Sequence, residues 1–263
     1  MEKVKSTESV PTDIHLSALI ITYNEEHNIK QLLQDLDFAD EILVIDSFST
    51  DKTVEIAQSF SNVKVSQHVF ENYALQRNYA LSLAKGTWIL FLDADERLTP
   101  ALKDEIIQTI QNKAEFNSYY FKRTFMFANE KLHFSGWQTD KIIRLFRKEN
   151  TTYSLQKTVH EKLNTVGDIG KLNNRLIHYS YTDYFSYKEK MTRYGKLKAS
   201  EEFIKGTKPH FFHFYLRPSF QFINQYLLRL GILDGKKGII ICYLNAFSVY
   251  IRFQELKRMK LKN

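Results

Sequence analysis

The chain has 263 residues, of which 43% are hydrophobic, and this is enough apolar material for one large domain or for a domain with an extension. The single cysteine, Cys242, excludes an internal disulfide and favours a reducing compartment. The net charge of +7 is concentrated in residues 208–263, where ten Lys and Arg stand against two Asp and Glu and favour an anionic partner surface, so the rest of the chain is at about −1.

Residues 1–15 contain no apolar run of the kind found in signal peptides, and we expect them to form a short disordered leader. After this leader, apolar runs alternate with stretches of helical periodicity. Strands are predicted at 16–21, 41–45, 63–65 and 87–91, and helices between them at 26–36, 52–60 and 73–84. This alternation predicts a parallel sheet with right-handed crossovers, in which ligands bind beyond the carboxyl ends of the strands.

Polar residues follow three of these strands. They are Tyr23, Asn24 and Glu25 after the first, Asp46 and Ser47 after the second, and Asp93 and Asp95 after the fourth. Strand alternation would point the last two carboxylates to one side, where they suit Mg²⁺ or Mn²⁺ with phosphate oxygens as further ligands. The alternative is a solvated acidic turn. Because the sequence has no glycine-rich phosphate loop, a dinucleotide enzyme and a P-loop ATPase are disfavoured.

The pattern changes after this acidic stretch. A helix is predicted from Pro100 to about residue 111, followed by antiparallel strands at 118–127, 131–134 and 141–147. A last strand is predicted at 173–181, and a helix rich in Lys and Tyr at 184–205.

Residues 211–251 form an apolar and aromatic tail with interspersed arginines. Its uncharged run at 238–251 has 14 residues, fewer than the ~20 that a membrane-spanning helix needs. We therefore expect an interfacial helix pair that inserts apolar faces and places Lys and Arg at the lipid headgroups. The alternatives are a helical hairpin packed on the preceding domain and a dimer contact. Nucleic acid is disfavoured, since the basic residues flank aliphatic helices and not a groove-reading motif.

Several motifs, in their order along the chain, resemble those of the family 2 glycosyltransferases. They are ITYNEEHNI, ADEILVIDSFSTDKTVEIA, LQRNYALSLAKGTWILFLDADERL, FSGW, IIRLFRK and VHEKL. The chain most resembles the branch that contains the bacterial lipooligosaccharide-core β-1,4-glucosyltransferases, over residues 16–181 and again at RPSFQFINQYLLRLGILDGKKG. The resemblance implies a GT-A-type α/β fold, with a mostly parallel, doubly wound central sheet and a C-terminal helical extension. It also implies a nucleoside-diphosphate sugar donor, most often UDP-linked.

The resemblance assigns roles to individual residues. Those given to the donor hold the nucleoside, the ribose or the diphosphate: Thr22, Tyr23, Glu25, Asp46, Gln76, Arg77, Asn78 and Asp93. Asp95 would coordinate the metal directly, and Asp93 would face both the ribose and the metal. The second half of the fold would form the acceptor side, where Trp137 offers an apolar face for a sugar ring. For each residue the alternative is structural: a helix cap, a surface position or, for Trp137, a place in the core.

Inversion at the anomeric carbon needs a general base that takes the proton of the acceptor hydroxyl. In the family, an acidic residue of a Glu-Asp motif follows the strand that ends in Phe-Arg at about the interval found here, and Glu161 stands in that place. His160 precedes it where many relatives have Glu, and Asp140 is a further candidate. The alternative for Glu161 is an ion pair with Arg144 or Lys162.

These features predict a metal-dependent, inverting hexosyltransferase, cytoplasmic and peripheral on the inner face of the cytoplasmic membrane. It would move a hexose such as glucose from a nucleoside-diphosphate sugar to a lipopolysaccharide-core or other lipid-linked glycan, with Mg²⁺ or Mn²⁺ as cofactor. Two alternatives stay open: a transferase of the same fold that charges a polyprenyl phosphate, and a non-catalytic nucleotide-sugar-binding membrane protein. The predicted division is a leader at 1–15, a catalytic domain at 16–181 and a helical, membrane-associating region at 182–263.

Overall fold

The computed structural model describes residues 15–112, 114–149, 151–155, 163–181 and 183–262. Of the predicted leader it therefore includes only His15, and the predicted site residues His160 and Glu161 lie outside the described residues. The division into a catalytic domain and a helical region stays a prediction, although the chain changes from strand to helix at the predicted place.

The first half of the chain forms four parallel strands that alternate with three helices. The strands are β1 (Leu16–Thr22), β2 (Glu41–Asp46), β3 (Val63–Gln67) and β4 (Trp88–Asp93), and the helices are α1 (Ile29–Asp35), α2 (Thr53–Gln58) and α3 (Tyr73–Leu83). The strands lie in the order β3-β2-β1-β4, so β1 is central between β2 and β4. Helix α1 begins three residues later than predicted, because the Glu25 carbonyl accepts the N–H groups of Asn28 and Ile29 in a preceding turn, each at 2.9 Å.

The second half extends the same sheet with mixed strand directions. Its elements are β5 (Glu96–Arg97), α4 (Pro100–Gln111), β6 (Ser118–Phe127), β7 (Glu130–Lys131), β8 (Lys141–Arg147), β9 (Thr152–Tyr153), β10 (Leu163–Asn164) and β11 (Ile169–Tyr181). Strand β8 is antiparallel to both β4 and β6, while β11 runs parallel to β6. Within the described residues the full order is β3-β2-β1-β4-β8-β6-β11-β5, with β7 paired to β6 and β9 paired separately to β10. This arrangement confirms the predicted fold class.

The predicted strand at 131–134 is wrong beyond its first residue. Strand β7 ends at Lys131, and the N–H groups of His133 and Phe134 donate to the carboxylate of Asp234 instead of to a neighbouring strand. A buried acidic side chain from the far end of the chain has taken the donors that a strand would have used. Here tertiary contacts override the local alternation pattern.

Helices cover both faces of the sheet. One face packs Leu90, Leu145 and Phe121 against residues of α1 and α4, such as Leu32 and Leu102. The opposite face packs apolar residues of β1, β4 and β8 against α3. Because both faces are buried, β1 and β4 read as continuous apolar runs instead of alternating ones.

The C-terminal region is helical. It contains α5 (Tyr184–Ile204), α6 (Phe211–Phe214), α7 (Leu216–Ile223), a π-helical turn (Asn224–Leu228), a 3-10 turn (Gly231–Asp234) and α8 (Gly235–Lys262). Tyr187 of α5, together with Ile241 and Leu244 of α8, packs against Phe125 and Phe127 at the end of β6. The uncharged run at 238–251 is thus partly packed on the protein, as the helical-hairpin alternative expected. No described helix is long and apolar enough to span a bilayer.

Candidate active site

Charged side chains from both halves of the sheet meet at one edge. Strands β4, β6 and β11 end at this edge, and β8 begins there because it runs in the opposite direction. The carboxylates and cations that meet are Asp93, Asp95, Glu96, Arg123, Asp140, Arg144 and His178, joined by Arg77 of α3 and Lys190 of α5. This edge is where the sequence predicted a ligand site.

Asp93 is held between two guanidinium groups. Arg77 Nη2 lies 2.7 Å from Asp93 Oδ1, and Arg144 donates to Oδ2. Burial would raise the pKa of Asp93, but Arg144 and Arg77 outweigh burial and hold that pKa far below its usual range. The Arg77 guanidinium also lies over the Phe91 ring, 4.6 Å from its centroid. The structure therefore neutralises Asp93 with protein groups, and metal binding by Asp93 would require that one of these ion pairs be exchanged.

The ion pairs continue from Asp93 to Asp140. Arg144 Nη2 lies 2.8 Å from the fully buried Glu96, whose second oxygen accepts the Asp93 N–H at 3.0 Å. Arg123 Nη1 lies 3.5 Å from Glu96, and Arg123 Nε donates to Asp140 Oδ2 at 2.7 Å. Charges alternate along this network, which reduces the cost of burying them. One oxygen of Asp140 is thus held by Arg123, and its role as the base stays a prediction.

Asp95 has different partners, which come from later in the chain. Its Oδ1 lies 3.2 Å from His178 Nε2 on β11, and its Oδ2 lies 3.9 Å from Lys190 Nζ on α5. Burial would raise the pKa of Asp95, but His178 and Lys190 outweigh burial and hold it well below its usual range. Burial, and then the charge of Asp95, raise the pKa of Glu25. Asp95 and Glu25 therefore repel each other, and a cation between them would relieve that repulsion.

The residues around Asp95 fit a dication that also binds phosphate. Among the described residues, no three His, Cys, Asp or Glu side chains converge on one metal position. An ion here would have Asp95 as its protein carboxylate, with His178 beside it, and would take other oxygens from its ligand. Mg²⁺ is commonly bound in this way, by one or two carboxylates together with substrate phosphates.

The loops after β1 and β2, where a nucleoside was predicted to bind, are joined by hydrogen bonds. Asp46 is completely buried and accepts bonds from Ser49 N–H at 2.9 Å and from Gln67 Nε2 at 3.1 Å. Asn24, in the left-handed region at φ 54°, accepts the Thr50 N–H at 2.8 Å. Tyr23 is 54% exposed at this edge and presents its ring to solvent. Thr22 is buried, and the predicted donor contacts of Thr22, Tyr23 and Asp46 all stay predictions.

Gln76 and Asn78, on either side of Arg77, bind other parts of the protein. Gln76 is buried and contacts His68 Nδ1 at 2.8 Å and Ser47 Oγ at 3.1 Å. The Asn78 amide pairs with both backbone groups of Tyr153, at 2.9 and 2.8 Å. In this structure Asn78 anchors β9 to α3 and Gln76 anchors the loops after β2 and β3, so their predicted contacts with the donor stay predictions.

Trp137, which was predicted to lie on the acceptor side, packs on Phe125 close to His178. Its ring lies 4.3 Å from that of Phe125, which in turn lies 5.0 Å from the ring of His178. The indole Nε1 is buried and has no hydrogen-bond partner within the described part of the chain. The ring thus packs on other aromatic side chains, as the core alternative expected, and its contact with an acceptor sugar stays a prediction.

The comparisons with known proteins agree with this geometry. Residues 17–163 match the family described as Glycosyl transferase family 2. The chain belongs to this family. The family 2 transferase is 30% identical over 258 residues to an uncharacterized glycosyltransferase of Rickettsia bellii, which covers 94% of this chain and 87% of the relative. It is also 26% identical over 249 residues to the lipopolysaccharide core biosynthesis glycosyltransferase LpsC of Rhizobium meliloti, which covers 90% of this chain and 92% of the relative.

One similar solved structure is that of S. aureus TarS 1-349 in complex with UDP. It superposes with a TM-score of 0.48 at 18% identity, and the match covers 95% of this chain and 92% of that chain.

Several charged residues of this transferase site were not predicted as site residues. Arg123, Glu96, His178 and Lys190 all lie in the network, and Lys190 and His178 follow the segment that matches the family. A partial signal was available for His178 and Arg123, since each is a polar residue within a predicted strand, His178 close to the end of its strand and Arg123 in the middle. The sequence contains no comparable signal for Lys190, because a lysine on a helix rich in Lys is usually solvated.

Proposed function

We propose that this family 2 transferase moves a hexose, with glucose as the first candidate, from a UDP-linked donor to a lipid-linked glycan of the lipopolysaccharide-core type, with inversion. The observation that carries the proposal is the position of the partly buried Asp95, which lies beside His178 and Lys190 at the carboxyl end of the parallel strands. The acceptor class is supported by the relative named as a lipopolysaccharide core biosynthesis glycosyltransferase. We place the reaction at the inner face of the cytoplasmic membrane.

The chemistry divides between a bound dication and the protein. When bound through Asp95, Mg²⁺ or Mn²⁺ would neutralise charge on the departing diphosphate as a Lewis acid. His178 and Lys190 keep Asp95 ionised and oriented. Lys190 would also provide an ammonium group next to the phosphates, where a cation favours the leaving group.

The rest of the donor would lie over the loops after β1 and β2. The exposed ring of Tyr23 is suited to stacking on the base. Asp46 supports this surface from below, because its carboxylate holds the backbone of Ser49. Arg77 contributes through Asp93, which it fixes by an ion pair of 2.7 Å.

The acceptor hydroxyl must lose a proton as the new bond forms. Glu161 and Asp140 are the candidate bases, with His160 as an acceptor-side neighbour, and Trp137 offers the apolar face for the acceptor sugar. If Asp140 is the base, the oxygen that does not accept from Arg123 Nε would take that proton. A single-substitution series, Glu161→Gln and Asp140→Asn, separates these candidates. Full activity in both variants would favour an acceptor that is already ionised, such as a polyprenyl phosphate.

The experiment that tests the proposal screens UDP-, GDP- and TDP-sugars for thermal stabilisation in the presence of Mn²⁺. A ligand that binds only the folded state raises the melting temperature. We expect one UDP-sugar to give the largest shift, and EDTA to abolish both this shift and slow hydrolysis of the sugar. Asp95→Ala should lose the response, whereas Asp104→Ala, which removes an exposed carboxylate of α4, should keep it. Tight binding without any turnover would favour a nucleotide-sugar-binding protein, and equal hydrolysis by Asp95→Ala would overturn the metal role.

A further inference from the structure

Helix α7 and the turns after it expose their apolar side chains to solvent. Leu216, Phe220 and Ile223 recur at helical spacing on one face of α7, and they are 50%, 64% and 48% exposed. In a globular protein, the apolar stripe of a surface helix normally faces the core. The exposed set continues through the following turns with Leu227, Leu228, Leu230, Ile232 and Leu233. We call residues 211–233 the apolar segment.

Along the chain, the charge in and next to the apolar segment is almost entirely positive. Residues 208–250 contain five Lys and Arg and one acid, Asp234, which is buried. Arg217, Arg229 and Lys236 are all exposed next to the apolar side chains. An apolar face flanked by cations matches an anionic bilayer, in which acyl chains take the apolar side chains and headgroups take the cations. A large apolar patch on a monomer usually marks an interaction site.

Arg229 near the end of the apolar segment, and Asp234 directly after it, bind the loop that leads to Trp137. Three consecutive N–H groups of this loop donate to these two residues: those of His133 and Phe134 to Asp234, at 3.0 and 2.9 Å, and that of Ser135 to the Arg229 carbonyl, at 2.9 Å. Three bonds to consecutive residues fix the direction of a backbone, not merely its distance. These bonds therefore fix the loop relative to the end of the apolar segment.

Two glycines allow these surfaces to approach each other. At Gly231, a Cβ would lie 2.5 Å from Ser135 Oγ, so a larger residue would push the loop away. Gly136 has φ +97° and lies directly under the Arg229 side chain, where a Cβ would come within 2.5 Å of Nη1. The apolar segment therefore contacts the loop closely at both Ser135 and Gly136.

This loop, residues 133–140, leads to the proposed acceptor side of the candidate site. Trp137 follows Gly136 directly and packs on Phe125, and the Asp140 N–H donates to the Trp137 carbonyl at 3.2 Å. Asp140 is bonded to Arg123 of the charge network at 2.7 Å. A continuous set of contacts thus runs from the exposed apolar segment to the acceptor side.

We propose that the apolar segment docks on an anionic bilayer, and that Asp234 and Arg229 transmit its docked position to the loop 133–140, which holds Trp137 and the acceptor side at the level of the lipid headgroups. This inference rests on the proposed function in one respect, because a lipid-linked acceptor is what makes the placement useful. Asp234 is a positioning residue in this scheme and acts through the backbone of the loop.

Docking is tested by co-sedimentation with vesicles of phosphatidylethanolamine and phosphatidylglycerol in a three-to-one ratio, compared with vesicles of phosphatidylcholine. The double variant Phe220→Ser, Leu228→Ser should bind the anionic vesicles at least about tenfold more weakly, since two large apolar side chains no longer leave water. The control is Val69→Ser, Val166→Ser, which removes two exposed apolar side chains of the sheet domain and should bind as the parent does. Equal binding by the Phe220 and Leu228 variant would overturn the docking proposal.

A second copy of the chain is the competing occupant of the apolar segment. Sedimentation equilibrium of the parent and of the same double variant tests for it. A parent dimer that the double variant converts to monomer, together with no vesicle binding, would assign the segment to self-association and would overturn the bilayer proposal. A monomeric parent that binds anionic vesicles supports it.

Transmission to the loop is tested by fluorescence, because the chain has only two tryptophans and Trp88 is buried in the core. In a Trp88→Phe background, Trp137 alone reports on the loop. We expect anionic vesicles that contain brominated lipid to quench this emission. Asp234→Ala should keep vesicle binding but lose at least about half of the quenching, since the loop loses two of its three bonds.

A variant that only weakens the fold would not show this pattern, and Asp234→Glu should recover part of the quenching. Arg229→Ala, which keeps the backbone carbonyl but removes the side chain over Gly136, provides a second and milder disturbance. Unchanged quenching in Asp234→Ala and Arg229→Ala, with unchanged vesicle binding, would overturn the transmission. None of these measurements requires sugar transfer. Turnover of a UDP-sugar without vesicle binding would therefore refute only this inference, and vesicle binding without turnover would refute only the proposed function.

Discussion

Asp93 and Asp95 are separated by one residue, yet they have different partners. Asp93 is neutralised by Arg77 and Arg144, which come from the first half of the fold and from the strand next to β4. Asp95 meets His178 and Lys190, which come from β11 and from the C-terminal helix α5. Asp93 is thus paired with two guanidinium groups, whereas Asp95 is paired with an imidazole at 3.2 Å and an ammonium group at 3.9 Å, and its charge raises the pKa of Glu25.

The difference teaches that an Asp-x-Asp motif does not define two equivalent ligands. Asp93 lies in a network that includes the fully buried Glu96, so its loss disturbs the interior of the protein. Asp95 lies at the end of the network and borders the carboxylate of Glu25. We therefore expect substitutions in the Asp93 region to change mainly stability, and substitutions in the Asp95 region to change mainly rate.

The largest effect is expected for Asp95→Asn. Loss of the carboxylate should lower sugar transfer, or hydrolysis of the donor, by about 10³-fold, which is about 4 kcal/mol of transition-state stabilisation. The measurements are steady-state rates at several Mn²⁺ concentrations and urea unfolding of the same preparations. A rate loss under tenfold would contradict the expected difference between the Asp93 and Asp95 regions. So would a loss of stability as large as that of the Arg144 variant described next.

Arg144→Met is expected to cost about 3 kcal/mol of unfolding free energy, because it leaves Asp93 and Glu96 without their shared cation. The same substitution at Arg147 on β8 is the matched control. That guanidinium stacks on the Trp88 ring, 4.6 Å from its centroid, and forms no ion pair within the described residues, so its loss should cost less. Equal losses in urea unfolding would show that the Asp93 network adds nothing beyond packing.

Lys190→Met should reduce the rate by about 10- to 100-fold with a small change in stability, because the ammonium group next to Asp95 is expected to act on phosphate charge. Lys196→Met, an exposed position on the same helix, is the control and should have the rate of the parent. If the two variants have equal rates, Lys190 only holds Asp95 in position, and helix α5 has no direct role in the reaction.

The smallest effect is expected for Glu25→Gln. Burial and Asp95 raise the pKa of Glu25 in the folded protein, so its ionised form costs stability that its protonated form does not. At about pH 4 the folded and unfolded states both carry mostly the acid, and the variant should melt with the parent. As the pH rises through the raised pKa, the parent should lose stability relative to the variant. Melting temperatures across this range check the sign, and a variant that is less stable near neutral pH would contradict it.

The apolar segment and the uncharged run 238–251 make a second instructive pair. Both are apolar in sequence, but Ile241 and Leu244 of the run are buried against the sheet, while Phe220 and Leu228 of the segment are exposed. Composition could not separate them, because burial depends on which helix meets Phe125 and Phe127. That contact is decided by how α5 and α8 pack together.

The sequence by itself determined the alternation of strands and helices, the bounds of β6 and β8, and the edge at which the acidic motif lies. These follow from local patterns, since apolar runs and their periodicity report directly on burial. Only the tertiary structure decided the partners of Asp93 and Asp95, and the hydrogen bonds between Asp234 and the loop before Trp137. Arg144, His178 and Lys190 are far from Asp93 and Asp95 along the chain, and what brings them together is the reversed direction of β8 and the return of the C-terminal helices. Because pairing of this kind depends on register and packing over long separations, no local pattern encodes it.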